Sequence, residues 1–190
     1  MEEDYYQTKE SVNDYIRLAK DVHGGALIQK LKKFLPRSTT LLEMGSGPGT
    51  DWNTLNQDFD VIGSDLSPEF LRHLKAANPM GTFIPLDAIS IQTDKMFDGI
   101  YSNKVLHHLK NNELADSIQR QFDVLNTNGI ICHSFWKGED SEFFKGLFVN
   151  YHTQHSLRNF FENSFEIVLM EEYAEFEDGD SILIIGKKKE

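Results

Sequence analysis

Residues 41 to 50 read Leu41-Leu42-Glu43-Met44-Gly45-Ser46-Gly47-Pro48-Gly49-Thr50: an apolar run, an acid, and three alternating glycines. That order describes a buried strand, a tight turn and a helix start, with backbone bared to a ligand that a Cβ would hold off. The spacing is G-x-G-x-G. Dinucleotide loops read G-x-G-x-x-G and rest a pyrophosphate on the helix N-terminus, and Thr50 stands where their third glycine belongs. Glu43 would repel an anion beside this loop and suits a ligand that carries positive charge. Downstream, Asp65 ends the run Val61-Ile62-Gly63-Ser64. A carboxylate there accepts two hydrogen bonds from a ribose diol, and Ser67 fills the competing role of helix cap better.

Two further groups carry chemistry. Asp87 closes Thr82–Leu86 as either a ligand acceptor or a turn-forming aspartate. The pair His107-His108 titrates near neutrality and supplies a general base, unless both rings only donate to nearby carbonyls. His152 and His155 lie one helical turn apart, with no carboxylate or cysteine nearby to complete a metal set, so no metal is expected.

Alternating periods supply the elements that position these groups. Strands are expected at Thr40–Gly45, Asp60–Asp65, Thr82–Leu86, Phe97–Asn103 and Gly129–Trp136, with helices at Asp51–Asp58, Pro68–Asn78 and Asn111–Asn126. Such alternation means crossover connections and a parallel sheet covered on both faces. Phe165–Tyr173 and Ser181–Lys187 are separated by a link too short for a crossover helix, so they form an antiparallel hairpin. Two helical patterns precede the first strand, and Pro36 stops the second. Phe143, Phe144, Leu147 and Phe148 fit a helix whose apolar stripe packs on the sheet.

With the glycine loop, the carboxyl-tipped strands and the closing hairpin together, the chain resembles the class I methyltransferases that use S-adenosylmethionine. The resemblance covers nearly everything from Leu31 onward. It implies an α/β, Rossmann-like three-layer sandwich, with a mostly parallel seven-stranded sheet and a C-terminal antiparallel hairpin strand. Residues 1–190 form one domain, and 1–35 form a helical cap or lid. In the family, Glu43, Gly45, Ser46, Gly47 and Gly49 bind the cofactor and Asp65 holds its ribose. Asp87 accepts from the adenine amino group and Ala88 offers its backbone amide to the ring, while Leu66 and Ile89 are apolar residues placed either to sandwich it or to pack in the core. Asn103 and Lys104 face the methionine portion. His108 is the favoured base, because the equivalent position points into the pocket in related enzymes. Tyr5 and Tyr6, with Tyr15, form a lid, and Lys104 and Trp136 line the acceptor pocket. Methyltransferases of nucleobase or glutamine amino groups carry an Asn/Asp-Pro-Pro-aromatic run where this chain has Ser102-Asn103-Lys104-Val105. That difference shifts weight to a small-molecule acceptor.

Composition sets outer limits. A net charge of −11 over 190 residues disfavours nucleic acid and anionic membrane as partners. Cys132 is the only cysteine, so no internal disulfide forms and it is read as inert packing in a strand. No apolar leader or membrane-length run is present, which leads to the expectation of a cytoplasmic protein. Two rival readings stand beside the enzyme: a non-catalytic S-adenosylmethionine-binding sensor or partner subunit, and a NAD(P)-dependent oxidoreductase.

Overall fold

A computed structural model describes residues 6, 8–18, 22–144 and 146–190. Strands β1 (Thr40–Met44), β2 (Asp60–Asp65), β3 (Thr82–Pro85), β4 (Phe97–Asn103) and β5 (Leu125–Trp136) pair in parallel. Between β5 and β8 (Phe165–Tyr173) lies β9 (Ser181–Lys188), antiparallel to both. The seven-stranded order is β3-β2-β1-β4-β5-β9-β8. The chain runs outward from β1 to β3, then restarts on the other side of β1 at β4. Strand order therefore reverses between β1 and β4, and a crevice opens there beyond the strands' carboxyl ends.

Alternate side chains of each strand go to opposite faces. Leu41, Val61, Cys132 and Leu183 pack with α2 (Gly25–Leu31), α3 (Thr50–Leu55) and α4 (Pro68–Ala77). Leu42, Ile100, Ile131 and Ile184 pack with α5 (Asn111–Val124) and α6 (Gln154–Phe161). Near the N-terminus, α1 (Lys9–Leu18) buries only Val12 among its described side chains. Local chemistry starts these helices where it should: Ser67 Oγ caps α4 with Pro68 in the first turn, and Thr153 and Ser156 form a reciprocal capping box on α6. That Thr-x-x-Ser box was the available signal for α6, a helix the periodicity reading does not contain.

One expected element differs. The stretch around Phe143 is not a helix but a hairpin of β6 (Ser141–Phe144) and β7 (Leu147–Asn150), with Gly146 at φ +80° in its turn. Phe143 and Phe144 are 71% and 58% exposed. The i, i+1, i+4, i+5 spacing imitates an amphipathic helix, but a left-handed glycine breaks it and suits a tight turn.

A buried polar chain fixes the sheet to α5. Ser102 Oγ lies 2.8 Å from His133 Nδ1, and His133 Nε2 lies 2.7 Å from Gln121 Oε1. Since that amide oxygen only accepts, Nε2 donates and Nδ1 accepts from the serine. Gln121 continues to Ser117, whose hydroxyl donates to the Ala88 carbonyl at 2.6 Å. The loop after β3 is thus tied through the core to β4. Burial pushes the His133 pKa from 6.5 down to about 3. Folded His133 stays neutral where the unfolded residue protonates, so stability is lost as pH falls below 6.5. Removing this group with His133→Gln should reduce the acid-side slope by about 1.4 kcal/mol per pH unit between pH 6 and 5. Urea unfolding at the two pH values measures it.

Candidate active site

The loop after β1 is built as its glycines suggest. Gly45, Gly47 and Gly49 take φ of +67°, +49° and +84°, in the left-handed region that glycine enters without a Cβ penalty. A Cβ on Gly45 would lie 2.5 Å from Val105, whereas one on Gly47 would meet nothing within 4 Å. Gly47 is the point where bare backbone faces open space. Ser46 secures the loop: its amide donates to the Ser64 carbonyl, and its hydroxyl donates to Glu43 Oε2 at 2.5 Å.

Around this loop lies a recess of about 100 Å³ lined by Glu43, Gly45, Ser46, Gly47, Asp51 and Asn103, among others. Glu43 is 2% exposed, and burial pushes its carboxyl from 4.5 up to about 8, partly countered by the Ser46 hydroxyl and reinforced by Asp51 and Asp65. A cation arriving there would offset the charge that burial penalises. Asp51 joins the recess from the first turn of α3. Its carboxylate accepts from the Gly24 amide (2.6 Å), the Tyr101 hydroxyl (2.7 Å) and Asn103 Nδ2 (3.1 Å). Asn103 Oδ1 in turn accepts from Ser134 Oγ at 2.5 Å. Both ends of the Asn103 amide are engaged by protein. No spacing rule links Asp51 to Tyr101, 50 residues away, so sequence reading missed it.

Asp65 sits at the tip of β2, beside β1. Its Oδ2 accepts from the Gly47 amide and its Oδ1 from the Ser67 amide, each at 2.9 Å. Burial raises its pKa against the pull of those amides. The next residue, Leu66, is 58% exposed. Asp87 and Ala88 follow β3 on the adjoining strand end. The Asp87 carboxylate accepts from the Ile89 amide and from the amide and hydroxyl of Ser90, a turn made by its own neighbours.

A second cavity of about 300 Å³ lies alongside. Tyr6, Lys104, His107, His108 and Trp136 from the sequence reading all line it, joined by Glu175 and Phe176, which that reading did not include. Tyr5 lies outside the described residues. Tyr6 packs against Tyr15, Phe70 and His108, and its carbonyl accepts from Ser67 Oγ, the residue that caps α4. His108 Nδ1 lies 2.7 Å from the Phe148 carbonyl. A carbonyl only accepts, so Nδ1 carries a hydrogen, and in the ring's neutral form the lone pair lies on Nε2. His107 is held well below 6.5 by burial, with His108, Lys104 and His152 adding to the effect. Among the described residues no three His, Cys, Asp or Glu side chains come together as a metal set, and no helix is long and apolar enough to cross a membrane.

The geometry is that of two adjoining recesses at the switch point of a doubly wound sheet, one under a glycine loop and one walled by aromatic rings. A family model described as a methyltransferase domain matches residues 41–129, from the start of β1 into β5. That match spans a little under half of the chain, and the chain's fold is the Rossmann-like α/β fold of the class I methyltransferases. It is similar to the Burkholderia thailandensis 1,6-didemethyltoxoflavin-N1-methyltransferase, crystallised with 1,6-didemethyltoxoflavin and S-adenosylhomocysteine. The TM-score is 0.80 at 18% identity, covering 95% of this chain and 85% of that one. It is also similar to the N-methyltransferase NodS of Bradyrhizobium japonicum in complex with S-adenosylhomocysteine (TM-score 0.69, 15% identity, 87% and 86% covered). A third likeness is to structures of a complex between the Haloferax volcanii Trm112 activator and a methyltransferase (TM-score 0.77, 13% identity, 93% and 95% covered). No curated protein matches the sequence.

Because Glu43 keeps a proton in the folded chain that the unfolded chain loses above 4.5, stability falls as pH rises from 4.5 to about 8. Glu43→Gln should abolish that slope and leave the ligand-free variant more stable than wild type at pH 8, by roughly 1–4 kcal/mol. Denaturant unfolding at pH 5 and pH 8 reads the difference.

Proposed function

We propose that this protein is an S-adenosylmethionine-dependent methyltransferase acting on a small-molecule acceptor. The observation that carries the reading is the pairing of recesses: a polar one under the bare Gly45–Gly49 backbone and an aromatic one beside it, sharing Tyr15, Val22 and Lys104 as a common wall. Donor and acceptor lodged on either side of that wall would meet at the junction, and in-line transfer is a matter of such positioning. When bound, S-adenosylmethionine supplies a methyl group on a cationic sulfur. On this reading Glu43 faces the donor's ammonium and sulfonium charge, which suits a carboxyl held back from ionising by burial. Gly45, Ser46, Gly47 and Gly49 offer the backbone against which the donor lies, with Asn103 at the same recess. Asp65 accepts from the ribose hydroxyls on the lone pairs its two amide donors leave. Leu66, already exposed, covers one face of the adenine, and Ala88 presents its amide to the ring's edge. Asp87 adds a further acceptor there on an oxygen its own turn already occupies.

In the second recess His108 is the base. Its Nδ1–H is committed to Phe148, which orients the lone pair of Nε2 for an acceptor proton. Tyr6 and Trp136 form walls, and Lys104 stands at the junction. The two N-methyltransferases among the similar structures support a small acceptor. The Trm112 complex keeps open a protein partner for this chain as well.

Calorimetry should give saturable binding of S-adenosylhomocysteine and none of NAD or NADP, and the reverse preference would return the chain to the oxidoreductase reading. Asp65→Ala should weaken that binding by about 1–3 kcal/mol; unchanged affinity removes Asp65 from the site. Incubating cell extract with methyl-labelled S-adenosylmethionine should yield a labelled small product, whereas binding without product favours a sensor. With that product as the assay, His108→Gln should bind S-adenosylhomocysteine normally but turn over roughly 10²–10⁴ times more slowly. Full turnover at all pH values would exclude the base.

A further inference from the structure

Of the three residues common to both recesses, only Lys104 brings a formal charge to the junction. It is not a mobile surface lysine. Its backbone takes φ +54°, its amide donates to Ser134 Oγ, and its Nζ donates to the Phe135 carbonyl (3.2 Å) and Ser181 Oγ (2.5 Å). The same Nζ lies 3.5 Å from the centroid of Trp136 and 5.3 Å from that of Tyr173. A charge so confined is expensive to desolvate unless a compensating charge arrives. On the same cavity wall, His107 is 3% exposed and its Nδ1 has no hydrogen-bond partner. A buried polar atom of that kind costs about 1–3 kcal/mol until something pairs with it. Among the remaining walls, Tyr6, Trp136, Phe144 and Phe176 present flat rings beside aliphatic side chains such as Leu147 and Val149.

We infer that the acceptor is a planar aromatic or heteroaromatic compound whose N–H or O–H ionises in the site, and that Lys104 is the specificity-determining residue that stabilises the resulting anion. This deepens the methyltransferase reading and rests on it. The step balances simply. His108 Nε2 takes the acceptor's proton, and the freed lone pair forms the bond to the methyl carbon. The sulfur–methyl bond breaks with its electron pair kept by sulfur. A cation and an anion become two neutral products, and the imidazolium releases its proton to water.

The groups around Lys104 set how much positive charge remains. Burial pushes it from 10.5 down to about 8, against the pull of Glu175 and Asp180. It therefore stays mainly an ammonium at pH 7. Tyr173 is neutral there, its hydroxyl pushed up by burial and by Glu175, and His107 is neutral for the reasons above. Glu175 shares the cavity wall and offsets part of the charge. Removing Lys104 thus leaves the wall negative.

4-Nitrophenol, whose anion absorbs in the visible, is a suitable probe because it reports ionisation without turnover. Titrated with pH in the presence of excess full-length protein, with and without S-adenosylhomocysteine, it should ionise about one pH unit lower when bound than when free, a tenfold shift. Lys104→Met should move the bound value to or above the free one. Lys104→Arg should keep the downward shift, and Glu175→Gln should enlarge it. No binding of the probe to folded wild type, a bound value at or above the free one in wild type, or equal values in wild type and Lys104→Met would overturn the inference. Circular dichroism verifies that each variant is folded. Failure to bind S-adenosylhomocysteine, with the probe's shift intact, would instead count against the donor assignment.

Discussion

The Asp51 carboxylate is the point at which three distant parts of the chain are held together. It accepts from Gly24, ahead of α2, from Tyr101 within β4 and from Asn103 at the end of that strand. Each donor satisfies part of a charge that burial would otherwise penalise heavily. Through Asn103 the tie continues to Ser134 on β5, and through Ser134 to the amide of Lys104. One buried acid therefore sets the floor of the glycine recess and the far wall of the aromatic cavity in a single network. Tyr101 is held neutral by burial and by that same acid, so it acts as a pure donor to it.

The two recesses divide the electrostatic work. Under the glycine loop the groups are acidic: Glu43, Asp51 and Asp65 stand together, and the two aspartates raise the cost of ionising Glu43. Across the wall stands Lys104, flanked by rings and the neutral His107. Opposite fields a few residues apart favour a cation on one side and an anion on the other, brought together at their boundary. An electrostatic arrangement built in advance of binding needs little reorganisation during reaction.

Much of this was legible in the residues. The order of strands and helices, the G-x-G-x-G loop, the tip position of Asp65 and the closing antiparallel pair follow from periodicity and turn chemistry, which act over a few residues. The Phe143–Phe148 hairpin was misread because short apolar runs satisfy two periods at once and only Gly146 arbitrates between them. Asp51 and Glu175 were invisible for a different reason. Their roles depend on partners in other elements, such as Tyr101 for Asp51 and the β8–β9 link for Glu175. Asp87 shows the converse, since both of its readings were present in the sequence and its local turn is the one the hydrogen bonds display.

By itself, the sequence determined which segments become strand, turn and helix and which strand ends carry carboxylates, because backbone sterics and side-chain alternation are local properties. Tertiary structure decided which of those ends converge, which histidine nitrogen keeps its lone pair, and which lysine is stripped of water against an indole. Those outcomes depend on burial and on partners up to 77 residues away, as between Lys104 and Ser181. Only chain closure around the reversal between β1 and β4 brings such partners within reach.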